Sequence, residues 1–375
     1  MNSPLQINKV RLHLLRMPLV RPFVTSFGTS TTRQFWLVEV CGTDGPSGWG
    51  ECVAMEEPYY NEETVKSAQY ALMDWLIPLL KQAPIRHPKE VAPRFRHIRR
   101  NMMAKAALEG AVWDYYAKMM QQPLARVLGG QRDAIDVGVS VGIQPSIEAT
   151  CDLVAGFLAD YDYRRVKVKI KPGWDLDLLN ALRDRFPDVP LMADANSAYT
   201  LADLDHLAKL DAFNLTMVEQ PLGHDDIVDH VQCQTRMRTP VCLDESIHTL
   251  DDARKALDLR ACRIINIKIG RLGGLTESLI VHDYCLERQV PLWCGGMLES
   301  GVGRAHNIAI TTLPGFTLPG DTAGSDNYWT EDIIEPEVRV ENGQVAVPRE
   351  SGIGFAVRLD LVAKYREALH EIPLA

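Results

Sequence analysis

The stretch RRVKVKIKPGWD, residues 164–175, decides how the chain is read. Val166, Val168 and Ile170 alternate with Lys167 and Lys169, the two-residue period of a β-strand. One face is apolar and the other carries two ammonium groups. On a surface strand that pattern is ordinary, so the neighbouring sequence has to say where this strand lies. From residue 133 onward, short apolar runs alternate with helical ones. DVGVSVGI, RRVKVKI, VPLMADANS, LTMVEQP, TPVCLDES, IINIKIG and VPLWCGG are spaced by segments such as LDLLNALRDRF and GLTESLIVHDYCLERQ. Such alternation predicts a parallel sheet with right-handed crossovers. Seven or eight units favour a closed (β/α) barrel over an open sheet. No GxGxxG follows the first strand, which argues against a dinucleotide-binding sheet.

The flanks have a different texture. Residues 5–53 read as strands broken by the turn TDGPSG, and residues 62–82 and 102–120 as amphipathic helices. LGGQRD, near 128–133, marks a boundary. The tail returns to β: VRVENGQVAVP holds Asn342-Gly343 between alternating runs, a hairpin signal. That hairpin is expected to pack on the N-terminal strands, making a cap from both chain ends.

A chain of 375 residues suits two domains, and 46% apolar with 24% charged residues is a soluble globular profile. The net charge of −9 argues against a nucleic-acid partner. No apolar run approaches the roughly 20 residues of a membrane span. Arg16 and Pro18 spoil the N-terminal run as a signal peptide. Eight cysteines without a CxxC pair read as reduced, buried thiols of a cytoplasmic protein.

Spacing then assigns the charges. Lys169, Asp194, Glu219, Asp244 and Lys268 are separated by 25, 25, 25 and 24 residues, each at or near the end of its predicted strand. One βα unit per step returns each side chain to the same height at the barrel's C-terminal mouth. The valines of the lysine strand can then face helices while Lys167 and Lys169 point inward. A lone carboxylate at a strand end is ordinarily a turn former or helix cap. Five ionisable groups in register are not explained that way, because burying them unpaired would cost several kcal/mol each. Three carboxylates without Cys or His ligands suit a hard cation, Mg²⁺ first and Mn²⁺ as a substitute. The flanking lysines suit an anionic substrate. Like-charge repulsion is expected to lower a lysine's pKa, so that one serves as a neutral base. Together these features specify proton abstraction beside a carboxylate.

These residues resemble the enolase superfamily in its muconate lactonizing enzyme branch, a superfamily for which a Lys or His base with Mg²⁺ is a known pattern. The matching pieces are KVK (167–169), DAN (194–196), EQP (219–221), DES (244–246) and NIKIGRLGG (266–274), with FVTSFGTS, GWGECVAM, VSVGI, KPGWD, WCGGMLESGVGRAHN and LPGDT beyond them. They are similar to the o-succinylbenzoate synthase group that includes N-succinylamino acid racemases. The resemblance implies an α/β fold: a (β/α)7β-type modified TIM barrel over 133–325, an α+β capping domain over 1–132, and a segment 326–375 returning to the cap. It implies Asp194, Glu219 and Asp244 as Mg²⁺ ligands and Lys169 as the base that removes the α-proton. Lys167 would sit near the substrate carboxylate and depress the pKa of Lys169, with Lys268 on the opposite face. In a synthase Lys268 would stabilise the enediolate; in a racemase it would be the second acid–base partner. Asn196 and Glu245 would orient these groups, and Arg271, a feature of sequences with racemase activity, would tune Lys268.

The resemblance also suggests specificity residues. Phe23 and Phe27, in a Gly28-containing cap loop, could face the substrate or belong to the cap core. Met55 could line the pocket or fill a gap. Ser140 ends the first barrel strand facing the mouth, and the N–H groups of Gly295 and Gly296 could bind a succinyl carboxylate. Glu299 could support a lysine or cap a helix, and His306 reads as structural. The competing functions are a lyase acting on a cyclohexadiene carboxylate, an N-succinylamino acid racemase, or both in one protein. Dipeptide epimerase and cycloisomerase are weaker alternatives, and a dead barrel used as a binding scaffold would have lost at least one of these groups. A small-molecule carboxylate is the expected partner, and the resemblance implies a homo-oligomer.

Overall fold

The computed structural model describes residues 3–25, 28–43 and 45–374. The chain opens with three antiparallel strands, β1 (Ile7–Val24), β2 (Thr29–Gly42) and β3 (Ser47–Cys52). The strand Arg366–Pro373 pairs with the other edge of β1, so the cap sheet takes its fourth strand from the far end of the chain. Helix α1 (Val65–Tyr70) starts from a reciprocal Thr64–Ser67 capping box and continues through a π-helical turn to Leu80. Helix α2 (Met102–Met119) lies between the cap sheet and the barrel. It is not the amphipathic helix its sequence suggested: residues 103–117 are all buried, because both flanks are covered. Gly48 and Gly50 allow this approach, since a Cβ on either would collide with an α2 carbonyl, that of Ala111 or Ala107.

The barrel follows as β4 (Val139–Val141), α3 (Ile147–Tyr161), β5 (Val166–Lys169), α4 (Leu176–Arg185), β6 (Leu191–Asp194), α5 (Leu204–Leu207), β7 (Val218–Glu219), α6 (Val228–Arg236), β8 (Val241–Leu243), α7 (Leu250–Asp258), β9 (Ile264–Ile267), α8 (Leu275–Glu287), β10 (Leu292–Cys294) and α9 (Gly301–Thr311). The seven strands are parallel neighbours in sequence order. An irregular extended segment, residues 316–321, closes the ring. On one side Leu292 O accepts from Thr317 N at 3.1 Å and Cys294 O from Asp321 N at 2.8 Å; on the other, Gly138 N donates to Gly320 O at 2.7 Å. Val166 and Val168 pack outward with the helices. Met192, Met217, Cys242, Ile264 and Trp293 plug the interior below the lysines, each such burial contributing about 1.5–3 kcal/mol.

The Asn342-Gly343 turn forms as expected, both residues at positive φ. Its strand Gln344–Ala346 pairs with Ala134–Asp136 beside the barrel, however, and not with the cap. Alternation marked the hairpin but carried no information about its partner, and Val345 and Ile135 join the barrel core.

Buried acids stitch the layers together. Glu63 accepts from Met103 N and Ala104 N at 2.9 and 2.8 Å, at the start of α2. Glu109 accepts from Leu275 N and Thr276 N at 2.7 and 3.0 Å, at the start of α8. Asp114 accepts from Trp49 N and Ile353 N at 2.8 and 2.7 Å. The free N–H groups and dipole of a helix start offset part of the cost of burying Glu63 and Glu109. All eight cysteines are buried and unpaired. Among the described residues, no helix is long and apolar enough to cross a membrane.

Candidate active site

Strand register brings the predicted groups together. Lys169 pairs with Asp194, and Asp194 with Glu219, across β5, β6 and β7. Asp244 and Lys268 follow directly on β8 and β9. All five side chains, and Lys167, are buried. Lys169 Nζ donates to Asp194 Oδ2 at 2.6 Å and to Asn196 Oδ1 at 2.7 Å. Lys167 Nζ reaches Glu219 Oε2 at 3.1 Å and Asp194 Oδ2 at 3.5 Å. Lys268 Nζ stands 2.8 Å from Asp244 Oδ2. The two outer lysines thus flank one run of carboxylates. Asn196 Nδ2 donates to Glu245 Oε1 at 3.1 Å.

Some participants were not singled out from the sequence. Asp321, on the closing segment, binds Lys167 at 2.6 Å and Arg165 at 2.8 Å. Tyr60 donates to Asp244 Oδ1 at 3.1 Å and accepts from Lys268 Nζ at 3.3 Å. Asn266 Nδ2 donates to Glu219 Oε1 at 2.6 Å. The strand alternation already places Asn266 on the face of Lys268. Asp321 lay in the quoted LPGDT motif, but no strand pattern marked it. Tyr60 comes from the cap, which the barrel's spacing could not reach.

Lys167 and Lys268 are raised, not depressed. Burial pulls the Lys167 ammonium down, but Asp321, Glu219 and Asp194 outweigh it and hold its pKa raised. Lys268 is likewise raised, burial being outweighed by Tyr60, Glu245, Glu219 and Asp194. Burial, with the Asp194 charge beside it, pushes Glu219 up to about 7, against the pull of Lys167. Burial also opposes ionisation of Asp194, yet Lys169 and Lys167 keep its carboxyl low.

A cavity of about 50 Å³ opens over this cluster. Phe23, Met55, Ser140, Asn196 and Gly296 line it, as do Tyr60, Met297, Leu298 and Tyr328. The Ser140 hydroxyl is buried without a protein partner. Two larger clefts, of about 830 and 620 Å³, lie elsewhere and hold none of the five registered groups.

Other expectations change. Gly295 does not offer its N–H to a ligand, because Asn266 Oδ1 accepts it at 2.8 Å. Its missing Cβ instead makes room for the Asn266 amide and for Lys268, whose Nδ2 and Cε would stand 2.5 and 2.8 Å away. Arg271 does not line the cavity; it lies fully buried behind Asp244, bonded to Asp244 Oδ1, to Ile247 O at 2.6 Å and to Asn266 O. Glu299 supports no lysine; Asn307 Nδ2 donates to it at 3.0 Å. His306 sits between the carbonyls of Val302 and Gly110, a structural placement. Phe27 lies outside the described residues.

The donor chemistry fits a hard divalent cation: three buried carboxylates on adjacent strand ends, with only oxygen to offer. Asp244 Oδ2 is buried and accepts no hydrogen bond despite the nearby ammonium. Among the described residues, no three acids, histidines or cysteines converge closely enough to chelate an ion as they stand. Lysines and Arg271 hold those carboxylates instead.

A closed (β/α)7β ring bearing lysines and acids at its mouth, under a cap built from both chain ends, is the architecture of one protein class. The chain belongs to the mandelate racemase/muconate lactonizing enzyme family of the enolase superfamily. Residues 9–129 match the mandelate racemase/muconate lactonizing enzyme N-terminal domain, and residues 149–361 the enolase C-terminal domain-like family. The chain is 59% identical to an o-succinylbenzoate synthase of Geobacillus kaustophilus over 363 residues, 97% of this chain and 96% of that one. It is 46% identical to an N-succinylamino acid racemase of Thermus thermophilus over 360 residues, 96% and 97% of the two chains. An enolase superfamily member from Listeria innocua superposes with a TM-score of 0.95 at 42% identity, covering 99% of this chain and all of that one.

Proposed function

We propose that this protein is a Mg²⁺-dependent o-succinylbenzoate synthase, a hydro-lyase that dehydrates 2-succinyl-6-hydroxy-2,4-cyclohexadiene-1-carboxylate in menaquinone biosynthesis. The observation that carries this reading is the pair Lys169 and Lys268 on either side of one carboxylate run, beside a cavity with an unpartnered Ser140 hydroxyl. The relatives' names support the choice of substrate.

Asp194, Glu219 and Asp244 would hold the ion, which supplies positive charge to the substrate carboxylate as that group gains electron density. Mn²⁺ is a substitute. Lys169, as a free amine, takes the α-proton onto Nζ, while Asn196 keeps it aimed. Lys268, held by Asp244 and Tyr60, faces the growing negative charge as an ammonium. The C–O bond to the β-hydroxyl breaks, and Lys169 returns its proton to the departing oxygen as water. Atoms balance, and the product ring is aromatic. Ser140 and the Gly296 edge receive the succinyl arm.

Racemisation of N-succinylamino acids is the second reading, favoured by the same lysine pair and by Arg271 locked behind Asp244. One lysine removes the proton and the other returns it to the opposite face. Unpaired buried thiols support a cytoplasmic location. Tyr59, Tyr70 and Trp75, all exposed on the cap, support self-association. The deciding test measures kcat/KM for both substrates with Mg²⁺. Turnover of the cyclohexadiene carboxylate supports the synthase; turnover of N-succinylamino acids alone makes the protein a racemase, and turnover of neither ends the proposal.

A further inference from the structure

Glu51 closes the GWGE run of β3, and its buried carboxylate reaches out of the cap into the barrel. It accepts from Ser300 N at 3.1 Å, Ser300 Oγ at 2.5 Å and Gly303 N at 3.0 Å. These are donors at the start of α9, where Ser300 is the N-cap. Gly303 permits the contact, since a Cβ there would stand 3.0 Å from Glu51 Oε2. Burial, reinforced by Glu299 and opposed by the Ser300 hydrogen bond, pushes the Glu51 carboxyl up to about 7. Beside it lies a cavity of about 30 Å³ walled by Glu51, Glu299, His306 and Asn307, space for a water or two.

Both sides of this contact lead to the reaction cavity. Four residues beyond Glu51, Met55 lines it; nine beyond, Tyr60 lines it and touches Asp244 and Lys268. On the barrel side, Gly296, Met297 and Leu298 line it just before Ser300. Leu298 holds φ 57, a left-handed conformation that leucine adopts only under constraint. The following carbonyl, Glu299 O, is fixed by Arg304 Nη2 at 2.9 Å and Trp329 Nε1 at 3.1 Å.

We propose that Glu51 is a positioning residue: by capping α9 from the other domain, it sets the gap between the cap wall and the Gly296–Leu298 wall, and so governs substrate affinity, not the chemical step. This inference rests on the function proposed above and adds the device that spaces its pocket.

The test is steady-state kinetics of the wild type and variants, on whichever of the two substrates the wild type turns over, with melting temperatures alongside. Glu51→Ala is expected to raise KM about tenfold while kcat stays within about twofold. Glu51→Gln keeps an acceptor oxygen and should stay within about threefold of wild type, while Ser300→Ala should raise KM about threefold. Asp114→Ala breaks a comparable buried set away from the cavity and should lower Tm without moving KM. An unmoved KM in Glu51→Ala, or an equal rise in Asp114→Ala, overturns the proposal. Should Glu51→Ala not fold, an unmoved KM in Ser300→Ala does the same. A wild type that turns over neither substrate sinks the functional reading and this inference together, whereas a competent wild type with unmoved KM sinks this inference alone.

Discussion

Lys169 and Lys268 are committed to different acids, Lys169 to Asp194 and Lys268 to Asp244, so each can be removed separately. Lys169→Ala should lower the synthase rate by about 10²–10⁴-fold, the usual worth of a positioned base. Lys268→Ala should abolish racemisation yet leave α-proton exchange into D₂O with one enantiomer, read by NMR. Synthase turnover surviving in Lys169→Ala would mean that the base is another group. Asp321 offers a second test, because it joins Lys167 to Arg165. Asp321→Asn should lower kcat/KM by about tenfold or more and destabilise the fold by about 3–5 kcal/mol, since it takes the carboxylate from buried Arg165 and one of three from Lys167; kcat/KM and urea unfolding measure the two. At this scale, the sequence revealed what strand period and βα spacing encode: Lys167, Lys169, Asp194, Glu219, Asp244 and Lys268. It did not reveal Tyr60, which arrives from another domain. Nor did it reveal that Arg271 turns its guanidinium into the protein, a direction set by the Asp244 carboxylate and not by local pattern.

Helices α2 and α8 meet through Glu109, whose pKa burial pushes up to about 7 although Thr276, Trp113 and Leu275 all donate to it. The sign of its effect on stability follows. The unfolded carboxyl ionises near 4.5, the folded one near 7. The stability this group contributes is therefore full below pH 4.5 and is lost as pH rises to about 7, with no further change above. Wild-type Tm should fall relative to that of Glu109→Gln between pH 5 and 7; parallel curves across that window would refute the assignment. Elements were legible wherever period and length agreed, as in the seven parallel strands. The Asn342-Gly343 hairpin was legible as a turn, but its partner Ala134–Asp136 lies some two hundred residues away, and pairing at that distance leaves no local trace. Helix α2 looked amphipathic because Lys105, Glu109 and Asp114 resemble a solvent face; each is instead buried, held by Ile98 O, by the start of α8, or by Trp49 and Ile353.

Taken whole, the molecule concentrates acid at one mouth and balances it with its own lysines. A divalent cation binding there adds its free energy to that of the fold, about 2.7 kcal/mol at a concentration one hundred times Kd. Millimolar Mg²⁺ should therefore raise Tm, a chelator should reverse the shift, and Asp244→Asn should blunt it; α-proton exchange persisting in excess chelator would remove the ion from the mechanism. The cap's fourth strand, Arg366–Pro373, carries a different consequence. A ribosome makes β1 before the barrel and its neighbour on that edge after it. While the whole barrel emerges, the nascent chain must keep an open β-edge from pairing with strangers, so the active-site roof can be finished only after the barrel has been made.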